Sequence, residues 1–260
     1  MEEALNKPIF GLDIGTFSIK VAEIRFKGNK PELYAASIIN LPEPDKGLEE
    51  KNPAAVADCL RRAAKESQPK TISTKYVVSA LPESKVYTEV LTMPEMSAEE
   101  LNSAVPFEAA KHMPLKLNES YIDFSVSEKI DDKKVEVLVV AAPKKLVDLY
   151  QQLIRAAGME LLSLEIKPIA VARALLTEEM KKKSILILDI GAHISSVTIL
   201  HHGNFAVAIT ASIGGEDYIA AVAKDLKIKR EEALKMSTMA EKSEDHINDK
   251  GGEKDERRAQ

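Results

Sequence analysis

The sequence lacks the features that define several protein classes. It has one cysteine, Cys59, so no internal disulfide can form, and such cysteine usage is typical of a reducing compartment. No apolar run approaches the roughly 18 residues of a membrane-spanning helix. The acidic residues 1–7 also lack the apolar stretch of a secretory signal. We therefore expect a soluble intracellular protein that inserts no segment of its own into a membrane.

Positive charge and metal-ligand clusters are scarce as well. The net charge is −5, so overall charge attracts neither nucleic acid nor anionic lipid, and we expect no nucleic-acid partner. Glu108 and His112 lie four residues apart, but no second histidine or cysteine stands at zinc-ligand spacing. There is no nucleophile elbow and no paired cysteine and histidine. These absences argue against a zinc enzyme and against a serine or cysteine hydrolase.

The tripeptide Asp-Ile-Gly, in contrast, occurs twice, each time after an apolar run. The copies occupy residues 13–15 and 189–191, and each is followed by a second strand and a turn at Gly-Asn, residues 28–29 and 203–204. This duplication predicts two related half-domains that face each other across a cleft.

The first Asp-Ile-Gly turn has the chemistry to hold a phosphate. Asp13 ends a strand, where its carboxylate can reach a magnesium-bound water. Gly15 permits a turn that directs successive backbone N–H groups at an anion. Thr16 and Ser18 can add hydroxyl donors, and Lys20 can supply positive charge. A hairpin turn without a ligand is the alternative.

The second copy repeats this arrangement with weaker donors. Asp189 and Gly191 occupy the equivalent positions, Ala192 follows, and His193 replaces a hydroxyl at the turn. A surface imidazole without a function is the alternative for His193. Because both copies occur in matching contexts, we expect both turns to contact phosphate.

Two adjacent glycines, Gly214 and Gly215, directly precede a predicted helix over 216–226. Their N–H groups and the positive helix end can face a phosphate or a ribose. A loop that only caps the helix is an equally good interpretation.

Hydrophobic periodicity predicts an α/β protein. Residues 8–40 are typical of three strands, Asn52 is typical of the N-cap of a helix that ends near residue 66, and residues 76–81 are typical of a buried strand. A helix capped by Ser97 should be kinked or ended by Pro106.

The rest of the chain alternates in the same way. We expect strands at 120–128 and 134–141, a helix from Pro143 that Gly158 ends, a strand near 160–166 and a helix from 168 to about 181. Three strands from Ser184 to 211 and helices at 216–226 and 229–240 follow. In residues 241–260, 12 of 20 are charged, and we expect disorder there.

The paired Asp-Ile-Gly hairpins and the later Gly-Gly resemble the phosphate motifs and following loop of the actin, Hsp70 and sugar-kinase ATPase superfamily. Within it, the chain resembles, over roughly residues 8–236, the PilM family of type IV pilus inner-membrane platform proteins, relatives of the division protein FtsA. The middle section carries this second resemblance, in Leu91-Thr92-Met93-Pro94, Phe107-Glu108, His112-Met113-Pro114-Leu115 and Asp123-Phe124.

The resemblance implies an actin-like (ribonuclease H-like) duplicated α/β core with an inserted α+β subdomain. The family continues past the end of this sequence with a nucleotide lid, so we expect an incomplete second half. The expected parts are a first subdomain at 8–84 and 163–183, an inserted subdomain at 85–162, a second subdomain at 184–240 and a tail at 241–260.

The resemblance also implies a cytoplasmic protein that binds ATP and magnesium, and self-association is left open. Its implied partner is the N-terminal peptide of a single-span inner-membrane pilus protein, PilN, held in a groove between core and inserted subdomain. With the lid absent, we expect weak ATP binding and at most weak ATPase activity. Asp13 and Asp189 would hold magnesium through water, and the predicted nucleotide contacts are Asp13, Gly15, Thr16, Ser18, Lys20, Asp189, Gly191, Ala192, Gly214 and Gly215.

The sequence departs from the family pattern at the adenosine clamp. Leu234 and Ser237 stand where the family has a glutamate and a lysine, and Glu232 and Lys235 have the right spacing about two residues early. Two alternatives remain. A division protein of the FtsA type would need an amphipathic C-terminal helix, which residues 241–260 do not offer. A small-molecule kinase would need a substrate lobe and a general-base carboxylate.

Overall fold

The computed structural model describes residues 7–43 and 46–237. The strands are, in chain order, β1 (Phe10–Ile14), β2 (Ser18–Lys27), β3 (Lys30–Asn40), β4 (Gln68–Pro69), β5 (Tyr76–Leu81), β6 (Tyr87–Pro94), β7 (Ser120–Asp131), β8 (Lys134–Pro143), β9 (Glu160–Ile166), β10 (Ser184–Ile190), β11 (Ser195–His201) and β12 (Asn204–Ala211). The α-helices are α1 (Pro53–Lys65), α2 (Ala98–Ala109), α3 (Lys144–Ala156), α4 (Lys167–Leu175), α5 (Gly215–Leu226) and α6 (230–237).

A six-stranded sheet with the order β4-β3-β2-β1-β5-β9 forms the centre of the first structural unit, which comprises the chain up to 189 and residues 196–210. β1, β2 and β3 form an antiparallel meander, which confirms the three strands predicted at 8–40. β5 lies parallel to β1, and β9 lies parallel to β5. The carboxyl ends of β1, β5 and β9 therefore meet at one edge of the sheet.

Helices α1 and α3 cover this sheet with one apolar core. The side-chain oxygen of Asn52 accepts the N–H of Ala54 at 2.9 Å, as predicted for an N-cap. The apolar face of α3 buries Tyr150, Leu153 and Ile154 almost completely in the core that also contains apolar residues of β1 and α1. Each such side chain contributes about 1.5–3 kcal/mol on burial. Gly158, with φ of +79°, ends the segment as predicted.

A three-stranded sheet with the order β6-β8-β7 forms a second core with α2. Within the range predicted for the inserted subdomain, 85–162, α3 packs into the core of the six-stranded sheet and β9 pairs with β5, while the subdomain boundary stays a prediction. Periodicity predicted both elements correctly. It could not indicate which of two neighbouring cores would bury them. In the structure the inserted sheet ends with β8.

Helix α2 continues through Pro106, so the structure excludes one of the two predicted effects of this proline, an end of the helix, and the predicted kink stays a prediction. The predicted capping box is present, with the Ser97 hydroxyl accepting the N–H of Glu100 at 3.2 Å. Proline removes one helical hydrogen bond. The helix nevertheless reaches Ala109, because Leu101, Val105 and Ala109 are buried in the second core.

The remaining strands β10, β11 and β12 form a three-stranded sheet, as the duplicated pattern predicts. Helix α4 ends at Leu175, earlier than expected, and a separate 3-10 turn follows at Met180–Lys182. Residues 190–195 and the chain from 211 form the second structural unit, which contains α5 and α6. The predictions for 238–260 lie outside the described residues. No helix within 7–43 and 46–237 is both long and apolar enough to cross a membrane.

Candidate functional site

The first Asp-Ile-Gly turn closes through a short backbone contact. Gly15 donates its N–H to the carbonyl of Ser18 at 2.9 Å, and a Cβ on Gly15 would lie 3.0 Å from that oxygen. Glycine is therefore favoured by the close approach of the chain rather than by a left-handed backbone. In the described part of the chain, the N–H groups of Thr16 and Phe17 have no protein acceptor. These two donors are available to an anion.

The second turn has the same geometry. Gly191 donates its N–H to the carbonyl of Ile194 at 3.0 Å, and a Cβ on Gly191 would lie 2.7 Å from that oxygen. Among the described residues, no protein acceptor is present for the N–H groups of Ala192 and His193. The repeated sequence thus forms a repeated turn, with two unoccupied donors directly after each glycine.

His193 adds a buried polar atom to the second turn. Its Nε2 is inaccessible to solvent and has no hydrogen-bond partner within the part of the chain that the structure describes. The alternative of a surface imidazole therefore does not fit this atom. A buried polar group without a partner costs about 1–3 kcal/mol. A ligand or a water that bonded to Nε2 would remove this cost.

Gly214 and Gly215 fit the loop-cap interpretation. The N–H of Gly214 donates to Asp217 at 2.8 Å, and the N–H of Gly215 donates to the carbonyl of Gly191 at 2.9 Å. A Cβ on Gly214 would overlap the carbonyl of Ala192. Both N–H groups predicted to face a ligand are thus engaged within the protein. The glycines allow the start of α5 to pack directly on the second turn.

Two lysine–carboxylate pairs lie at the ends of β1 and β10 in the first unit. Lys20 stands opposite Asp13 in the β1–β2 register, and its Nζ lies 3.1 Å from Oδ2 of Asp13. Nζ of Lys167 lies 2.9 Å from Oδ2 of Asp189. Both predicted magnesium ligands therefore already pair with an ammonium group.

Sequence reasoning missed Lys167, the first residue of α4. Its signal was positional: it directly follows β9, whose carboxyl end shares an edge with that of β1. Burial of the ammonium lowers the pKa of Lys167, but the carboxylates of Asp13 and Asp189 outweigh this effect and raise the pKa above its ordinary value. The ammonium is therefore charged at neutral pH.

These contacts fit a resident magnesium ion poorly. Each predicted carboxylate ligand is engaged by a lysine, and no group of three or more histidine, cysteine or acidic side chains within 7–43 and 46–237 is arranged to hold a metal. The structure thus brings Asp13, Lys20, Lys167 and Asp189 together as ion pairs. Glu232 and Lys235, the pair with adenosine-clamp spacing, lie on α6.

A cavity of about 470 Å³ lies between the two sheets of the first unit. β7 forms one edge of the three-stranded sheet, and β9 forms one edge of the six-stranded sheet; residues of both strands line the cavity. Its walls are largely apolar, and the lining includes Leu81, Phe124, Ser125, Val140, Leu164 and Ile169. Glu165 and Arg173 also line the cavity and form a two-point ion pair at 2.7 and 3.0 Å.

Comparison with known families identifies the chain. The profile of the family described as type IV pilus assembly protein PilM matches residues 11–249. The chain belongs to the PilM family. This confirms the resemblance inferred from the sequence and favours it over the division-protein and small-molecule kinase alternatives. The protein is an actin-like type IV pilus assembly protein.

Solved structures agree with this family and fold. A PilM–PilN type IV pilus biogenesis complex is similar with a TM-score of 0.75 and 25% identity, over 93% of this chain and 72% of that one. The ethanolamine utilization protein EutJ of Carboxydothermus hydrogenoformans is 15% identical with a TM-score of 0.51, over 87% of this chain and 59% of that one. The cytoplasmic domain of EpsL, an inner-membrane component of the Vibrio cholerae type II secretion system, is 12% identical with a TM-score of 0.52, over 86% of this chain and 78% of that one. The last two show the shared fold alone.

Proposed function

We propose that this PilM-family protein is a cytoplasmic scaffold of the type IV pilus inner-membrane platform. In this proposal it holds an extended peptide, the N-terminal segment of a PilN-like single-span protein, in the cavity between β7 and β9. The cavity between two sheet edges is the observation that carries the proposal. The PilM–PilN complex among the similar structures supports the choice of partner. Attachment to the inner membrane would then come through this partner.

The edges that border the cavity suit an extended peptide. An edge strand presents N–H and C=O groups that a further strand can pair with. The apolar lining, which includes Phe124 and Leu164, offers places for alternate side chains of the bound peptide. The volume of about 470 Å³ lies within the usual range of ligand sites, roughly 300–1,000 Å³.

Filling the cavity tests this proposal. Ser125 lines it, whereas its neighbour Val126 is 51% exposed and lies outside the lining. Titration of the purified protein with the PilN-like N-terminal peptide should give submillimolar binding. Ser125→Trp should weaken this binding at least about tenfold, equivalent to about 1.4 kcal/mol. Val126→Trp, a tryptophan of equal size on the same strand, should leave binding almost unchanged.

Two results would overturn the proposed groove. One is the absence of wild-type binding at submillimolar peptide. The other is an equal loss of binding in Ser125→Trp and Val126→Trp, because that result would point to disruption of β7 rather than to a filled cavity. Thermal midpoints of both variants serve as the control for folding.

We also propose each Asp-Ile-Gly turn as a phosphate-binding element for a nucleotide such as ATP. The first turn would use the N–H groups of Thr16 and Phe17, with Gly15 shaping the turn, Ser18 beside it and Lys20 supplying charge. The second would use the N–H groups of Ala192 and His193, with Gly191, Gly214 and Gly215 shaping the turn. The unoccupied donors after each glycine support this role.

A further inference from the structure

Lys167 places a positive charge beside Asp189, near the edge of the six-stranded sheet where β1 and β9 end. Its Nζ lies 2.9 Å from Oδ2 of Asp189, and Asp13 acts on it electrostatically. The side chains of Lys167 and Asp189 are only about one-third exposed, at 36% and 34%. The pair is thus partly shielded from water. A charge interaction at such a shielded position is stronger than one at an open surface.

The fold determines the position of this ammonium. β1, β5 and β9 run parallel, so the end of β9 delivers the first residue of α4 to the edge that carries Asp13. Pro168, at the second helical position, fixes the backbone where the helix begins. The positive charge of Lys167 is therefore covalently attached to the protein, whereas a bound metal ion can dissociate.

The local charges balance without a metal ion. Two carboxylates, Asp13 and Asp189, face two ammonium groups, Lys20 and Lys167. Magnesium would have to approach carboxylates that each already have one oxygen, Oδ2, paired with an ammonium group, and it would meet the repulsion of both lysines. A polyphosphate, in contrast, would compete with Asp13 and Asp189 for the two ammonium groups, and it would also accept the N–H groups of Thr16 and Phe17.

We propose that Lys167 acts as the resident cation of the phosphate site, so that this protein binds a nucleoside polyphosphate without requiring magnesium. The inference rests on the proposed phosphate-binding function of the first turn and specifies how that site is charged. Lys167 then contacts the ligand and determines its metal requirement. Lys20, which pairs with Asp13, supplies the second charge.

The test compares ATP titrations of the full chain in excess EDTA and in excess magnesium. The wild type should bind ATP with dissociation constants that agree within about threefold between the two conditions. Lys167→Met keeps the length of the side chain but removes its charge, so its binding in EDTA should weaken at least about tenfold. Lys167→Arg keeps the charge and should retain binding without magnesium. Lys145→Met, the same substitution at an exposed position of α3, should match the wild type.

The outcomes separate this inference from the function on which it rests. If the wild type binds ATP in neither condition, the proposed phosphate function fails and the inference fails with it. If the wild type binds ATP only with magnesium, or if Lys167→Met binds in EDTA as the wild type does, the phosphate function stands and the role of Lys167 is wrong. If Lys167→Met does not fold, the wild-type comparison and Lys167→Arg decide the question, because loss of metal-independent binding in the charge-preserving variant contradicts the inference.

Discussion

Single glycines determine the shape of both Asp-Ile-Gly turns. In each turn the glycine N–H bonds to a carbonyl three residues on, and the missing Cβ leaves room for that oxygen. The contact is tighter at Gly191, where a Cβ would lie 2.7 Å from the oxygen, than at Gly15, where the distance would be 3.0 Å. The loss of stability caused by a glycine-to-alanine substitution should therefore be larger at Gly191 than at Gly15.

We predict that Gly191→Ala lowers the free energy of unfolding by about 1–3 kcal/mol, because the backbone must shift to admit the new methyl group. Gly15→Ala should cost less. Gly11→Ala is the matched control, since its Cβ would meet the nearest atom at an ordinary 3.7 Å. Thermal or denaturant unfolding measures all three. Equal stability of the three variants would show that neither turn depends on glycine.

At this scale the sequence predicted the two repeated turns but not the contacts that tertiary packing adds. Asp13, Gly15, Asp189 and Gly191 were found because a duplicated local pattern produces a duplicated turn. Lys167 was not found, because its role depends on a contact between α4 and β10 that no local pattern encodes. The use of the Gly214 and Gly215 N–H groups within the protein likewise depends on tertiary packing.

Helix α2 illustrates how tertiary burial overrides a local signal. Pro106 lies within the helix, yet the helix continues because its apolar face is needed by the second core. The Asn52 cap of α1 and the Gly158 end of α3, in contrast, follow the local signals. The burial of α3 in the core of the six-stranded sheet has a related cause. An apolar stripe predicts burial but does not identify the surface that covers it.

We predict that Pro106→Ala raises the free energy of unfolding by about 1–3 kcal/mol, since it restores a helical hydrogen bond and removes the proline penalty. Pro53→Ala should have little effect, because Pro53 is exposed and occupies the first position of α1, where the N–H has no helical acceptor. Denaturant unfolding compares the two. Destabilisation by Pro106→Ala would mean that the proline packs favourably enough to offset the missing bond.

At the largest scale, the first structural unit contains a cavity between the six-stranded sheet and the three-stranded sheet of β6, β8 and β7, lined by residues of β5, β7, β8, β9, α3 and α4. Family membership and fold class were predictable, since they rest on several motifs in a fixed order. The sequence predicted a groove between the core and the inserted subdomain but not the residues that line the cavity, because the edge strands β7 and β9 come from separate segments of the chain. The expected weakness of ATP binding stays a prediction, which the titrations with EDTA and magnesium also measure.

The central claim is that the space between β7 and β9 receives an extended peptide. Hydrogen–deuterium exchange of the full chain, with and without the PilN-like peptide, tests it most directly, because added main-chain hydrogen bonds slow exchange at the strand that forms them. We predict slower exchange in β7, β9 or both, with little change in the two Asp-Ile-Gly turns. Protection confined to those turns or to α5, with β7 and β9 unchanged, would contradict it.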